Sequence, residues 1–228
     1  MQKLLDGVHR FANDEFGMHR ELFQRLAEQG QRPHALFITC ADSRVVAELI
    51  THSRPGDLFV VKNAGNIVPP AHVTGDTNST AAAIEFALEQ LQVEDVVVCG
   101  HSQCGAMKAL IEGLPSEPPM PHLAAWLEVA APVRRVVCER YHHLTDQQAR
   151  CTAAELENVL FALENLRTYP CVQRGLANGQ LRLHGWFFKI STAELFAYEP
   201  ATQQFTSLIG SNLDKSGDAG SDSLGGLP

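Results

Sequence analysis

The sequence predicts an α/β fold: a mostly parallel central β-sheet with an antiparallel edge strand, flanked by helices and preceded by extended N-terminal helices. Three observations predict it. Short apolar runs rich in β-branched residues alternate with longer stretches of helical periodicity. The first and third of these runs are apolar at consecutive positions, the pattern of strands covered on both faces. A late pair of runs, LRLHGWFFKI and ELFAYE, reads as a hairpin and supplies the antiparallel edge.

Residues 2–28 read as helical, with Leu4, Leu5, Val8 and Phe11 on one stripe and Leu22 and Leu26 on another. ALFITC (35–40) is a buried strand. DLFVVKN (57–63) follows the turn signal Arg54-Pro55-Gly56 and is the second strand. Residues 77–91 are helical, with Ile84, Ala87, Leu88 and Leu91 on one face. DVVVCG (95–100) is the third strand, followed by a helix over 102–112. After the loop GLPSEPPMP a helix is expected over 122–141. Another over 152–168 carries Leu156, Val159, Leu160, Leu163 and Leu166, with Thr152 and Glu155 as a candidate capping box. The hairpin occupies 181–190 and 194–199.

A chain of 228 residues, 45% hydrophobic, can bury a substantial core. No repeat or internal boundary is visible, so a single domain is expected over 1–210. Residues 211–228 are rich in Gly, Ser and Asp, and a disordered tail is expected there. Eighteen basic against 26 acidic residues leave a net charge of −8, which argues against nucleic acid as a partner. No segment approaches about 18 consecutive apolar residues, so no membrane span is expected. MQKLLDGVHRF has no long apolar stretch of the secretory kind, and a cytoplasmic location follows as the expectation. The six cysteines are then reduced, available as metal ligands, nucleophiles or core residues.

The chemistry concentrates in CADSR (40–44) and CGHSQCG (99–105). In open α/β sheets ligands bind beyond the carboxyl ends of strands. Cys40 ends the first predicted strand, His101 follows the third, and Cys104 begins the next helix. If the two strands are neighbours, two thiolates and an imidazole converge. That donor set suits zinc, with a fourth ligand completing a tetrahedron. Asp42 has three open roles: fourth zinc ligand, partner of Arg44 with the fourth position left to water, or helix cap together with Ser43. The other cysteines have no partner at metal-like spacing, and His184 reads as a structural hydrogen-bonding residue.

CADSR, PGDLFVVKNAGN and VVVCGHSQCGAMKAL, taken together, resemble the β-class carbonic anhydrases, which carry C-x-D-x-R and H-x-x-C in this order. The match extends from the N-terminal helices to HGW at 184–186. The chain is most similar to the plant and cyanobacterial branch, which includes carboxysomal enzymes. The resemblance implies Zn2+ held by Cys40, His101 and Cys104, an Asp42–Arg44 dyad, and zinc-bound hydroxide attacking CO2 to give bicarbonate. Zinc in carbonic anhydrases is known to lower the pKa of its water from 15.7 to about 7. The resemblance also implies a homodimer as the minimal unit, with the active site at the subunit interface and a tetramer or larger assembly within reach, and it leaves carboxysome association open.

Gln31 matches a glutamine that faces substrate in plant-like members, and Phe59 and Phe86 match aromatic positions of the CO2 pocket. Phe86 stands where tyrosine is more usual. Gly105 is read as leaving room for a ligand. Some β-class enzymes bind inhibitory bicarbonate in a second pocket. Its tryptophan, arginine and tyrosine are replaced here by Phe37, Lys62 and Phe188, so that pocket is expected to be missing.

Three other readings compete: a cysteine nucleophile in an arginine-terminated loop, a zinc hydrolase of CS2 or COS on the same scaffold, and an inactive scaffold or shell relative. The acidic Asp42 would repel an anionic substrate of the first. The intact motifs argue against the last.

Overall fold

The computed structural model describes residues 1–73 and 77–208; the tail expected at 211–228 lies outside the described residues. Its centre is a sheet of β1 (Ala35–Cys40), β2 (Leu58–Asn63), β3 (Asp95–His101), β4 (Arg182–Lys189), β5 (Glu194–Glu199) and β6 (Gln204–Ser207). The strand order is β2-β1-β3-β4-β5-β6. The first four strands are mutually parallel, and β5 and β6 extend the sheet antiparallel. The antiparallel edge is thus one strand wider than the hairpin read from sequence. Gln204–Ser207 is too short, with too few apolar residues, to announce itself.

Both faces of β1 and β3 are covered, which explains their unbroken apolar composition. Leu36, Ile38, Val96 and Val98 belong to a core with Leu156, Val159, Leu163 and Phe187. Phe37, Val97 and Cys99 point to the opposite face, with Val45, Ala47 and Phe188.

The helices follow the expected order with several corrections. The N-terminal helix is α1 (Gln2–Arg10) and α2 (Phe16–Gln29), joined by a wide helical turn over 11–15. Leu22 and Leu26 are half-buried, and Leu26 packs on Gly56. The other stripe stays largely exposed: Leu4, Leu5, Val8 and Phe11 are 69, 46, 63 and 42% exposed. A five-residue helix, α3 (Ala47–Thr51), had no sequence signal of its own. α4 (Ser79–Glu85) runs into a wide turn over 86–90, capped by Asn78, whose Oδ1 accepts from Ala81 N. α5 (Gly105–Glu112) begins three residues later than expected, because 102–104 form a turn.

The helix expected over 122–141 is two: α6 (Pro121–Glu128) and α7 (Ala131–Arg140). Pro132 lacks an N–H, and its ring would clash with the Glu128 carbonyl in a continuous helix. α8 (Gln147–Leu166) begins five residues before Thr152, capped by Asp146, whose carboxylate accepts from Ala149 N at 2.7 Å. The proposed Thr152–Glu155 capping box is therefore wrong; both residues lie inside the helix. α9 (Pro170–Ala177) was not foreseen.

At the amino ends of β3 and β4, Asp95 accepts from Arg182 Nε and Nη2 at 2.8 and 2.6 Å and bonds His184 Nε2 at 2.7 Å. His184 is thus a structural hydrogen-bonding residue, as read from sequence, at the end of the sheet opposite Cys40.

Gly100 sits where α8 crosses β3. A Cβ there would lie 2.7 Å from Val159 Cγ2. Gly100→Ala should therefore lower stability by about 1–3 kcal/mol in urea unfolding, and a second change, Val159→Ala, should recover part of the loss. Unchanged stability of Gly100→Ala would contradict this packing.

Candidate metal centre

β1 is flanked by β2 on one side and β3 on the other, so the chain reverses its winding direction between β1 and β3. That switch point opens a crevice at the carboxyl ends of the two strands. Cys40 ends β1, His101 ends β3, and Cys104 is the N-cap of α5. Their donor atoms all lie within 4.8 Å of one another, with the two sulfurs 4.0 Å apart. All three side chains are essentially buried.

The local bonding prepares these atoms for a cation. His101 Nδ1 lies 2.9 Å from the Ser102 carbonyl, so Nδ1 carries the proton and Nε2 the free lone pair. That Nε2 is buried and has no hydrogen-bond partner among the described residues. A buried acceptor close to two cysteine sulfurs is the arrangement a metal ligand takes. The Cys40 sulfur accepts from Gly65 N at 3.3 Å. Gly65 must be glycine: its φ is +80°, and a Cβ would sit 2.9 Å from Ala106 Cβ.

The two sulfurs lie within hydrogen-bonding distance of each other. The Cys104 thiol bonded to Cys40 lowers the Cys40 pKa against the effect of burial. The Cys40 thiolate and burial together raise that of Cys104. Burial disfavours the His101 imidazolium, but the Cys40 thiolate beside it more than compensates and raises its pKa. A dication would replace these protons and leave two thiolates and a neutral imidazole, a set that fits zinc.

Asp42 stands beside this cluster, engaged by Arg44. Its Oδ1 accepts from Arg44 N and Nε, both at 2.9 Å, and its Oδ2 accepts from Nη2 at 2.7 Å. This forked pairing holds the Asp42 carboxyl well below the usual carboxylate range. The pairing with Arg44, one of the three roles open in the sequence, is present in this geometry. The Arg44 fork also donates from Nη2 to the Gln103 carbonyl at 3.1 Å, tying the two motif loops together. Lys62 Nζ donates to the Val45 carbonyl at 2.6 Å and the Asp42 carbonyl at 3.3 Å.

Sequence reasoning missed the support behind the site. α8 turns a row of buried polar side chains toward the loops. Glu155 Oε1 accepts from Cys104 N at 2.8 Å, Asn158 Nδ2 donates to the Gly65 carbonyl at 2.8 Å, and Asn165 Nδ2 donates to the Val68 carbonyl at 2.7 Å. Just past the helix, Tyr169 Oη donates to the Pro69 carbonyl at 2.8 Å. Burial pushes the Glu155 carboxyl up to about 7, against the opposing pull of the Cys104 amide and His101. The available signal was the helical spacing of Glu155, Asn158 and Asn165 next to the apolar stripe.

The remaining candidates are dispersed. Gly105 follows Cys104 at the exposed start of α5, and a Cβ there would meet nothing within 4 Å. Phe59 pairs with Leu36 in the sheet, four positions from the Cys40–Asn63 level, or roughly 13 Å along the strand. It packs on Phe86, ring centroids 5.8 Å apart, and Phe86 is exposed. Gln31 is exposed ahead of β1, at the strand end opposite Cys40. Within one protomer these three do not join the Cys40–His101–Cys104 cluster.

The fold and site define a doubly wound α/β protein with a buried Cys-His-Cys metal-binding group. The carbonic anhydrase family model matches residues 35–195, from the start of β1 into β5. A carbonic anhydrase of Synechocystis sp. is 42% identical over 205 residues, covering 90% of this chain and 73% of the relative. The solved structure of the beta-carbonic anhydrase CcaA aligns with a TM-score of 0.86 at 42% identity, covering 91% of this chain and 98% of that one. A tetrameric beta-carbonic anhydrase of Sordaria macrospora aligns with a TM-score of 0.76 at 30% identity, covering 86% and 95%. The chain belongs to the β-carbonic anhydrase family.

Cys104→Ser exchanges a soft ligand for a hydroxyl that stays protonated. Elemental analysis of the purified variant should show most of the metal gone, against about one zinc per chain in the wild type. Full retention would mean that the ligand set is wrong.

Proposed function

We propose that this chain catalyses the zinc-dependent reversible hydration of CO2 to bicarbonate. The observation that carries the reading is the unpartnered His101 Nε2 facing two cysteine sulfurs, beside an Asp42 carboxylate held ionised by Arg44. Zinc held by Cys40, His101 and Cys104 supplies a Lewis acid that brings the pKa of water near neutrality.

The chain's own groups do the rest. Asp42 accepts the hydrogen bond of the attacking water and so aims its oxygen lone pair at the carbon. Arg44 keeps Asp42 ionised and fixes its plane through two parallel hydrogen bonds. Gly105, with no side chain of its own, leaves room for the substrate in this reading.

In this reading Gln31, Phe59 and Phe86 reach the pocket from a second copy of the chain, because their own protomer holds them away from it. The exposed stripe of Leu4, Leu5, Val8 and Phe11 supports a homodimer as the working unit, since a contiguous exposed apolar stripe favours a partner surface. Assembly to a tetramer has a parallel in the Sordaria macrospora relative, which is itself tetrameric. Among the described residues, no helix is long and apolar enough to cross a membrane. We place the chain in the cytoplasm, with association with carboxysomes as the alternative.

The inhibitory bicarbonate pocket is taken to be missing. Phe37 is buried edge-to-face against Trp186, Phe188 is buried, and the Lys62 ammonium is occupied by backbone carbonyls. None offers a bicarbonate ion the paired donors it needs.

Asp42→Asn should retain zinc in elemental analysis yet lower kcat/KM for CO2 hydration about 10–100-fold, the usual scale for groups just outside a metal's ligands. Near-wild-type turnover in a zinc-replete sample would remove Asp42 from this role. Deleting residues 211–228 should leave turnover unchanged, because the segment carries no motif residue; a large fall with the oligomer intact would place the tail in the reaction.

A further inference from the structure

The peptide unit between Gln103 and Cys104 is held at both ends. Its carbonyl, on Gln103, accepts from Arg44 Nη2 at 3.1 Å. Its N–H, on Cys104, donates to Glu155 Oε1 at 2.8 Å. Carbonyl and N–H belong to one rigid plane, so a rotation at one end is a rotation at the other. Gln103 has φ 58°, a left-handed conformation that a non-glycine residue keeps only where its surroundings enforce it. The plane is therefore set by its two partners. Arg44 is about half-exposed on its side, whereas Glu155 is 2% exposed and carried by a long, well-packed helix.

We propose that Glu155 is a positioning residue of the metal centre. By accepting from Cys104 N it orients the Gln103–Cys104 peptide. In that orientation the Cys104 sulfur faces Cys40 and His101, and the Gln103 carbonyl faces the Arg44 fork that holds Asp42. One buried carboxylate oxygen thus aligns a metal ligand and, through a single peptide, the neighbouring dyad. The Cys104 N–H is one of the orphan donors at the start of α5; without Glu155 it would be buried unpaired, and the turn would have to rotate to satisfy it. The proposal deepens the hydratase reading and rests on it for the effect on turnover, though not for the effect on metal binding.

Two variants separate position from charge. Glu155→Gln keeps an oxygen at the same reach and removes the charge. Glu155→Asp keeps the charge and draws the oxygen back by one methylene. The measurements are zinc affinity by chelator competition, the thiolate-to-cobalt charge-transfer band of the cobalt(II) form, and kcat/KM for CO2. Glu155→Gln should stay within about threefold of wild type with an unshifted band. Glu155→Asp should lose about 10–100-fold in zinc affinity and in kcat/KM, with a shifted band. Equal losses in both, no loss in either, or the reverse order would overturn the proposal. If Glu155→Asp does not fold, amide exchange at Cys104 in Glu155→Gln decides: protection equal to wild type supports the role, and lost protection overturns it. If the wild type itself fails to hydrate CO2, the hydratase reading falls, and the order of zinc affinities still tests Glu155.

Discussion

Two cysteine sulfurs 4.0 Å apart and an imidazole nitrogen with no hydrogen-bond partner among the described residues share one buried space, and the surrounding structure answers to that constraint. Without a cation the cluster must keep protons that its ligand role requires it to lose. With one, two thiolate charges are balanced inside a low-dielectric crevice. The neighbouring charges are arranged accordingly. Asp42 is neutralised by a forked pairing with Arg44, and the Cys40 sulfur draws a backbone N–H from Gly65. The chain therefore presents an ordered ligand set at the point where the sheet reverses its winding.

Holding three loops around that space falls largely to α8. Its apolar stripe packs on the sheet, and its polar row reaches past the sheet edge to the backbone of the loops. Glu155 takes the Cys104 amide, Asn158 the Gly65 carbonyl and Asn165 the Val68 carbonyl. Buried polar side chains are costly unless bonded, and here each bond fixes a backbone group within or next to a motif. Trp126, from α6, adds another by donating to the Ala64 carbonyl at 2.8 Å. The segment 64–69 contributes one hydrogen bond to the centre, through Gly65, and otherwise serves as the surface on which the helices fasten the site.

The protomer also carries surfaces that make little sense alone. The N-terminal helices bury no residue, and an apolar stripe runs along them. Phe59 and Phe86 form an aromatic pair away from the metal centre of their own chain, with Phe86 open on its outer side. A second copy, as proposed, accounts for both features at once, by covering the stripe and by receiving the aromatic pair at its own centre. β2 is half-buried because it is the outer parallel strand of the sheet.

The sequence by itself determined the strands, the motif residues and the chemistry of the ligand set. Consecutive β-branched runs have few ways to be satisfied other than as covered strands, and Cys40, His101 and Cys104 lie at the strand ends where α/β sheets bind ligands. It also revealed the family, because short motifs in fixed order are local facts. It did not determine the break before Pro132, the true start of α8 at Asp146 or the short elements α3, α9 and β6, where a few residues carry too little periodicity to outweigh competing readings. Nor did it reveal the forked hydrogen bonds of Asp42 with Arg44 or bring out Glu155, which looked like a cap and is a buried acceptor for a residue 51 positions away. Those decisions belong to the tertiary structure. Which partner a polar group finds depends on which backbone atoms the packing brings within about 3 Å of it, and hydrogen bonds between distant segments leave no pattern in the order of residues.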